Sequence, residues 1–347
     1  MRTVSVWLML TIVLSVPVAA AEQAHGTMRG VKISESPSWF KESFLELEGD
    51  VAEASESGKR LMLYFHQEGC PYCARLVEEN FTDPETVAYI KQHFDGISIN
   101  MWGDREVVTV SGQSFSEKSF AAALKVQYTP TLIFLDEQGK VALRLNGYYP
   151  VERFRLALRY VAEKMERRES FTDYLLAGGN APSGNLIAED FFRQGVDLFR
   201  LVGENDKPLA VFFESADCEP CRIMHERILT DGPTRELVMA VNNVQLDLHS
   251  NQQVTTPKGR KLGIRQWAAE LGISFTPSVV FFDRQGEEVM RISAFMKTFH
   301  FQSVFAYVLE KAYLQQPSFQ RYLSARGEKI REAGYDTDIW GYESLHR

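Results

Sequence analysis

Two periods of apolar residues alternate along the chain. Residues 44–54 show helical spacing, and a later amphipathic stretch sets Phe154, Leu158 and Val161 on one face. Between them, short apolar runs at 61–65 and 131–135 read as buried strands. Residues 97–101 alternate as a strand, and residues 107–115, with Ser111-Gly112 inside, read as a hairpin. A helix is predicted from Cys70 to about Glu79, with Pro71 in its first turn, where the missing N–H costs nothing. Asp83 before Pro84 and Ser116 before a run ending near Lys125 predict two more capped helices. A turn at Glu137-Gln138-Gly139 joins the strand at 131–135 to another at 141–146. The order is βα βα ββα behind an extra leading helix. Strand–helix alternation favours a parallel sheet between helical layers, ending in an antiparallel pair.

The chain then repeats this pattern. Shifted by 148 residues, 59–65 falls on 207–213 and Thr82-Asp83 on Thr230-Asp231. Shifted by 147, Thr129-Pro130 falls on Thr276-Pro277, and Asp136-x-Gln138-Gly139 on Asp283-x-Gln285-Gly286. Phe171-x-x-Tyr174-Leu175 meets Phe319-x-x-Tyr322-Leu323, again at 148. Such a period suits a whole domain rather than a solenoid unit. Residues 177–185 are rich in Gly, Pro, Ser and Asn and read as a linker. The expected organisation is a domain at 36–176, the linker, a second domain at 186–324 and a tail at 325–347.

The N-terminus changes the picture of where the protein works. Arg2, an apolar run of about 15 residues and Ala19-Ala20-Ala21 compose a secretory signal at 1–21, with cleavage after Ala21. The run falls short of the roughly 20 residues of a membrane span, so no stable membrane insertion is expected after cleavage. The net charge of -8 comes without blocks of Lys and Arg, which argues against a nucleic-acid partner.

All four cysteines fall in two C-x-x-C units, Cys70/Cys73 and Cys218/Cys221, each between a strand and a helix. The first cysteine of each stands where unpaired N–H groups and the helix dipole favour a thiolate. Cys70 and Cys218 are therefore read as nucleophiles, and Cys73 and Cys221, about one turn on, as resolving thiols. A structural disulfide or a zinc knuckle is the competing reading. A zinc site joins two such units a few tens of residues apart, and these lie 148 apart. His225 offers a third ligand with no fourth nearby, so no metal is expected. Haem attachment needs His after the second cysteine, where Ala74 and Arg222 stand.

Cys70-Pro71-Tyr72-Cys73 with Thr129-Pro130, and Cys218-Glu219-Pro220-Cys221 with Thr276-Pro277, resemble the thioredoxin superfamily. The stretch from Tyr64 through Cys73, with Asn80 to Pro84 and Met101-Trp102-Gly103, is similar to SoxW-type periplasmic thioredoxins. The resemblance implies an α/β chain of two tandem thioredoxin folds. Each has a central mixed sheet flanked by helices and an insertion between the C-x-x-C helix and the proline strand. It implies that Pro130 and Pro277 are cis and, with Thr129 and Thr276, bind extended substrate chain; Tyr72 is a further candidate substrate contact. This sequence departs from common thioredoxins in three places. Gly69 and Asp217 stand where Trp precedes the first cysteine. Tyr64 and Phe212 replace a buried Asp. Ala294 replaces, in the second repeat, the glycine that the first keeps as Gly147. His66 and Glu214, four before their cysteines, are read as partly exposed strand ends. Asp217 and Glu219 flank Cys218 and lead us to expect a higher thiol pKa there than at Cys70.

The function so implied is thiol–disulfide exchange with extracytoplasmic protein disulfides or thiols, in a periplasm, within cell redox homeostasis. No cofactor is implied, and electrons come from a membrane-embedded thiol donor. The alternatives are a redox-inert binding or chaperone module, and a dedicated thiol carrier for a sulfur-oxidation partner.

Overall fold

The structure, a computed structural model, describes residues 25–177 and 184–344. The expected signal at 1–21 and linker residues 178–183 lie outside the described residues. Among those described, no helix is long and apolar enough to cross a membrane.

A short strand β1 (Met28–Arg29) precedes the first repeat. That repeat runs through α1 (Leu47–Glu56), β2 (Arg60–His66), α2 (Pro71–Arg75), α3 (Pro84–His93) and β3 (Phe94–Asn100). The insertion follows as the hairpin β4 (Glu106–Val108) and β5 (Ser114–Ser116), with Val107 facing Phe115. Then come α4 (Glu117–Ala123), β6 (Thr131–Leu135), β7 (Val141–Asn146), α5 (Val151–Ala162) and α6 (Phe171–Ala177). The leading helix begins at Leu47 rather than at 44, because Ser43 intervenes. Its hydroxyl accepts the Leu45 N–H at 2.7 Å, Leu45 takes a positive φ, and Phe44 is left 96% exposed.

The sheet order is β3-β2-β6-β7. Only β2 and β3 are parallel; β6 runs antiparallel to both β2 and β7. The sheet is thus mixed, as the fold resemblance implied, and less parallel than strand–helix alternation alone suggested. The alternate faces of β2 feed two cores. Met62 and Tyr64 join Phe81, Phe134 and Phe154 on one side, and Leu61, Leu63 and Phe65 join Ile97, Ile99 and Phe120 on the other.

The second repeat copies this order. It contains α7 (Leu198–Leu201), β8 (Leu209–Glu214), α8 (Glu219–Ile223), α9 (Gly232–Met239), β9 (Asn242–Asp247) and the hairpin β10 (Gln253–Thr255) and β11 (Lys261–Gly263). It continues through α10 (Ile264–Glu270), β12 (Ser278–Phe282), β13 (Glu288–Ile292), α11 (Thr298–Leu309) and α12 (Phe319–Glu332). Its sheet order is β13-β12-β8-β9. The repeat does not end at the expected residue 324, since α12 runs on to Glu332. Within the expected tail, strand β14 (Thr337–Asp338) pairs in parallel with β1, Met28 beside Thr337. Asp336 anchors that pairing by accepting the Thr27 N–H at 2.7 Å and the Arg29 guanidinium at 2.7 Å.

The repeats dock through equivalent surfaces. Helix α6 donates the Thr172 hydroxyl to the Ile273 carbonyl at 2.6 Å, and α12 donates the Gln320 amide to the Gln127 carbonyl at 3.0 Å. Each closing helix therefore binds the segment ahead of the other repeat's Thr–Pro.

Candidate functional site

Both C-x-x-C units close as disulfides, with Cα–Cα distances of 5.3 Å for Cys70–Cys73 and 5.1 Å for Cys218–Cys221. Cys70 is the N-cap of α2 in extended backbone conformation, and its sulfur accepts the Cys73 N–H at 3.1 Å. Cys218 caps α8 in the same way, accepting from Cys221 N–H at 3.1 Å. A sulfur in that place meets the positive end of the helix, which stabilises a thiolate once the disulfide opens. The second cysteines of the pairs are the more deeply buried, Cys73 at 0% and Cys221 at 2% exposure.

The helices are shorter than expected. After Arg75, and again after Ile223, the chain widens into a π-helical turn: Phe81 N–H reaches Leu76 O at 3.1 Å, and Leu229 N–H reaches Met224 O at 2.9 Å. Single π turns of this kind concentrate near functional positions.

Thr129-Pro130 and Thr276-Pro277 are both cis peptide bonds, and all four residues are buried. Thr129 brackets the Cys70 sulfur, with its hydroxyl donating at 3.4 Å and its carbonyl oxygen also 3.4 Å away. Among the described residues, Thr276 makes no such bond to Cys218.

Tyr72, expected to meet substrate, is 8% exposed and spent inside the chain. Its hydroxyl oxygen accepts the Lys297 N–H at 2.7 Å, and its ring packs edge-on against His300 and Trp340 at 5.1 Å and 5.0 Å. In the second repeat, Asp217 and Glu219 are exposed and Pro220 is half-buried. Arg222 pairs with Glu219 at 2.6 Å, so one of the two charges beside Cys218 is already balanced.

Glu214 differs from the partly exposed strand end that the sequence suggested. It is 1% exposed, and one carboxylate oxygen lies 3.0 Å from His225 Nε2. The other ring nitrogen, Nδ1, lies 3.0 Å from Glu189, which also pairs with Arg235 at 3.4 Å. Both imidazole nitrogens are thus taken by carboxylates, which leaves His225 no lone pair for a metal shared with the cysteines. Burial disfavours the His225 cation, but the hydrogen bonds and charges of Glu214 and Glu189 outweigh it and raise its pKa. His66, at the equivalent position, is half-buried and stacks on Tyr64 at 5.3 Å. The sequence hinted at this group only through the 148-residue shift, which sets Glu214 opposite His66; Glu189 lies too far along the chain to be found from spacing.

The fold and the twin disulfide sites define a chain of two redox-type thioredoxin units. It belongs to the Thioredoxin-like domain family, which it matches over residues 47–162 and 197–309. Solved structures similar to it include a thioredoxin-fold protein from Helicobacter pylori, 24% identical, covering 40% of this chain and 86% of that one with a TM-score of 0.34. A thioredoxin from Thermus thermophilus is 26% identical over 34% of this chain and 86% of its own, with a TM-score of 0.29. A disulphide isomerase from Xylella fastidiosa is 14% identical over 43% of this chain and 98% of its own, with a TM-score of 0.25. No curated protein sequence matches the chain.

Proposed function

We propose that the chain is an exported thiol–disulfide oxidoreductase that exchanges disulfides with extracytoplasmic proteins. One observation carries the reading. Twice over, a Cys-x-x-Cys disulfide caps a helix whose repeat also holds a buried cis Thr–Pro. The nucleophiles are Cys70 and Cys218. Each attacks a substrate disulfide, and the buried partner, Cys73 or Cys221, then attacks the mixed disulfide and frees the reduced product. No cofactor enters this cycle, and a membrane-embedded thiol donor returns the chain to the dithiol form. The signal-like residues 1–21 and the SoxW-type likeness of the first repeat support a periplasmic site of action.

Dithiothreitol-driven reduction of insulin tests the activity. Acceleration by the intact chain, lost when all four cysteines are replaced by serine, is the expected result. A protein that only holds unfolded chains gives no acceleration. Protein secreted from a host and sequenced from its N-terminus is expected to begin at Glu22.

A further inference from the structure

We infer that the Cys70–Cys73 pair exchanges with a low-molecular-weight thiol or disulfide rather than with a polypeptide. This rests on the exchange reading above and assigns a substrate class to one of its two sites.

The first motif is enclosed on most of its flanks. Cys70, Pro71, Tyr72 and Cys73 are all buried, whereas Glu219, the residue after Cys218, is exposed. Tyr72 is held by Lys297 and Trp340, as described above. On the Thr–Pro side, Tyr128 is buried in the core of the second repeat. Gly147 faces Ala294 so closely that a Cβ at 147 would stand 2.5 Å from the Ala294 Cβ; this contact crowds the Thr–Pro side of both repeats, and what is particular to the first is the held Tyr72 and the N-terminal segment. Beside Gly69, Val31 of the N-terminal segment leaves 3.1 Å to where a Cβ would be. An extended chain laid along this surface needs the backbone edge that these contacts occupy.

What remains open is small. A cavity of about 160 Å³ lies against Cys70 and Thr129, walled by Gln67, Met296 and His300. Exposed Met28, Glu68 and Ser324 also line it. That volume is below the roughly 300–1,000 Å³ of sites for drug-sized ligands, so it suits a smaller molecule. Its wall is partly polar, with Gln67, Glu68 and Ser324 on it.

The chemistry balances without another reactant. The Cys70 thiolate attacks one sulfur of RS–SR, forms the Cys70–S–S–R bond and expels RS⁻, which takes up a proton. The Cys73 thiolate then attacks the Cys70 sulfur, closes the Cys70–Cys73 disulfide and expels the second RS⁻. The dithiol loses two electrons, and the small disulfide becomes two thiols. Small thiols drive the reverse reaction on the oxidised pair.

Two variants of the full chain separate the sites: Cys218→Ser/Cys221→Ser keeps only the first pair, and Cys70→Ser/Cys73→Ser only the second. Each is reduced, freed of reductant and mixed with bis(2-hydroxyethyl) disulfide or with insulin, and loss of the protein dithiol is followed. The first-pair variant is expected to react readily with the small disulfide and at least tenfold more slowly with insulin than the second-pair variant does. In the first-pair background, Ser324→Trp, an exposed change at the cavity, is expected to slow the small-disulfide reaction at least fivefold. Equal insulin rates for the two variants, or a small-disulfide rate indifferent to Ser324→Trp, overturn the inference and leave the exchange activity standing. A chain inert toward both disulfides overturns that activity and the inference with it.

Discussion

Tyr128 and Phe275 hold the same position in the two repeats, directly before the Thr–Pro pair, and each is buried in the core of the other repeat. Tyr128 lies among Phe281, Phe305 and Phe319, with its ring 5.5 Å from that of Phe319. Phe275 lies among Tyr64, Phe81 and Phe154, with its ring 5.4 Å from that of Tyr149. The exchange is reciprocal. It makes the two segments the joint between repeats, so each Cys-x-x-Cys site is shaped by both halves of the chain.

This joint predicts cooperative unfolding. Removing a buried aromatic ring from a core costs about 3–5 kcal/mol. Phe275→Ala is therefore expected to destabilise the first repeat, although the residue belongs to the second. Calorimetry is expected to show one transition for the native chain and two for Phe275→Ala. Two separate transitions in the native chain would mean that the crossed rings do not couple the repeats.

The Thr129 hydroxyl sets Cys70 apart from Cys218. It donates to the Cys70 sulfur, whereas Cys218 has exposed Asp217 beside it and, among the described residues, no such bond from Thr276. A hydrogen bond to a charged group contributes about 1.5–3 kcal/mol, and one pKa unit is about 1.4 kcal/mol. Thr129→Val is thus expected to raise the Cys70 thiol pKa by roughly one unit. Titrating thiolate absorbance in a variant keeping only the first cysteine pair checks this, and an unmoved pKa would discard the hydroxyl's role.

Much of each repeat was legible in the sequence because local chemistry fixes it. The strands at 131–135 and 141–146 and the caps at Asp83 and Ser116 fall where apolar runs and side-chain acceptors put them. The cysteine pairs and the Thr–Pro bonds were legible for the same reason, since spacing along the chain announces them. The contacts that close the first site were not. Tyr72 on Lys297, Gly147 on Ala294 and β1 on β14 join residues more than a hundred positions apart, and no periodicity records such meetings. Glu214 misled for a related reason. A carboxylate at a strand end reads as solvated unless its partner is known, and that partner, His225, lies on the facing helix.

Tyr72 holds the closed state of the first site. Its hydroxyl is the acceptor for the buried Lys297 N–H, and a donor left unpaired costs about 1–3 kcal/mol. Tyr72→Phe keeps the ring and removes only that acceptor. The variant is expected to lose about that much stability in urea, and its reduced Cys70 to react faster with a bulky maleimide. Unchanged labelling together with unchanged stability would show that the contact holds nothing closed.

The buried His225 gives the second repeat a pH dependence with a defined sign. In the unfolded chain the imidazole loses its proton near 6.5, whereas in the fold Glu214 and Glu189 hold that proton to higher pH against the cost of burial. The folded state therefore binds more protons than the unfolded state between 6.5 and the raised value. The stabilisation is complete below 6.5 and fades as pH rises through the folded pKa, because the folded state must then give up the proton it favours. Urea midpoints measured from about pH 6 to about pH 9 are expected to fall with rising pH in the native chain. His225→Gln cannot gain or lose that proton, so its profile is expected to be flatter. Glu189→Gln, which removes the half-buried partner, is expected to move the fall toward lower pH, since one of the two carboxylates raising the pKa is then neutral. A native profile flat across this range, or one that His225→Gln leaves unchanged, would place the pH response elsewhere in the chain.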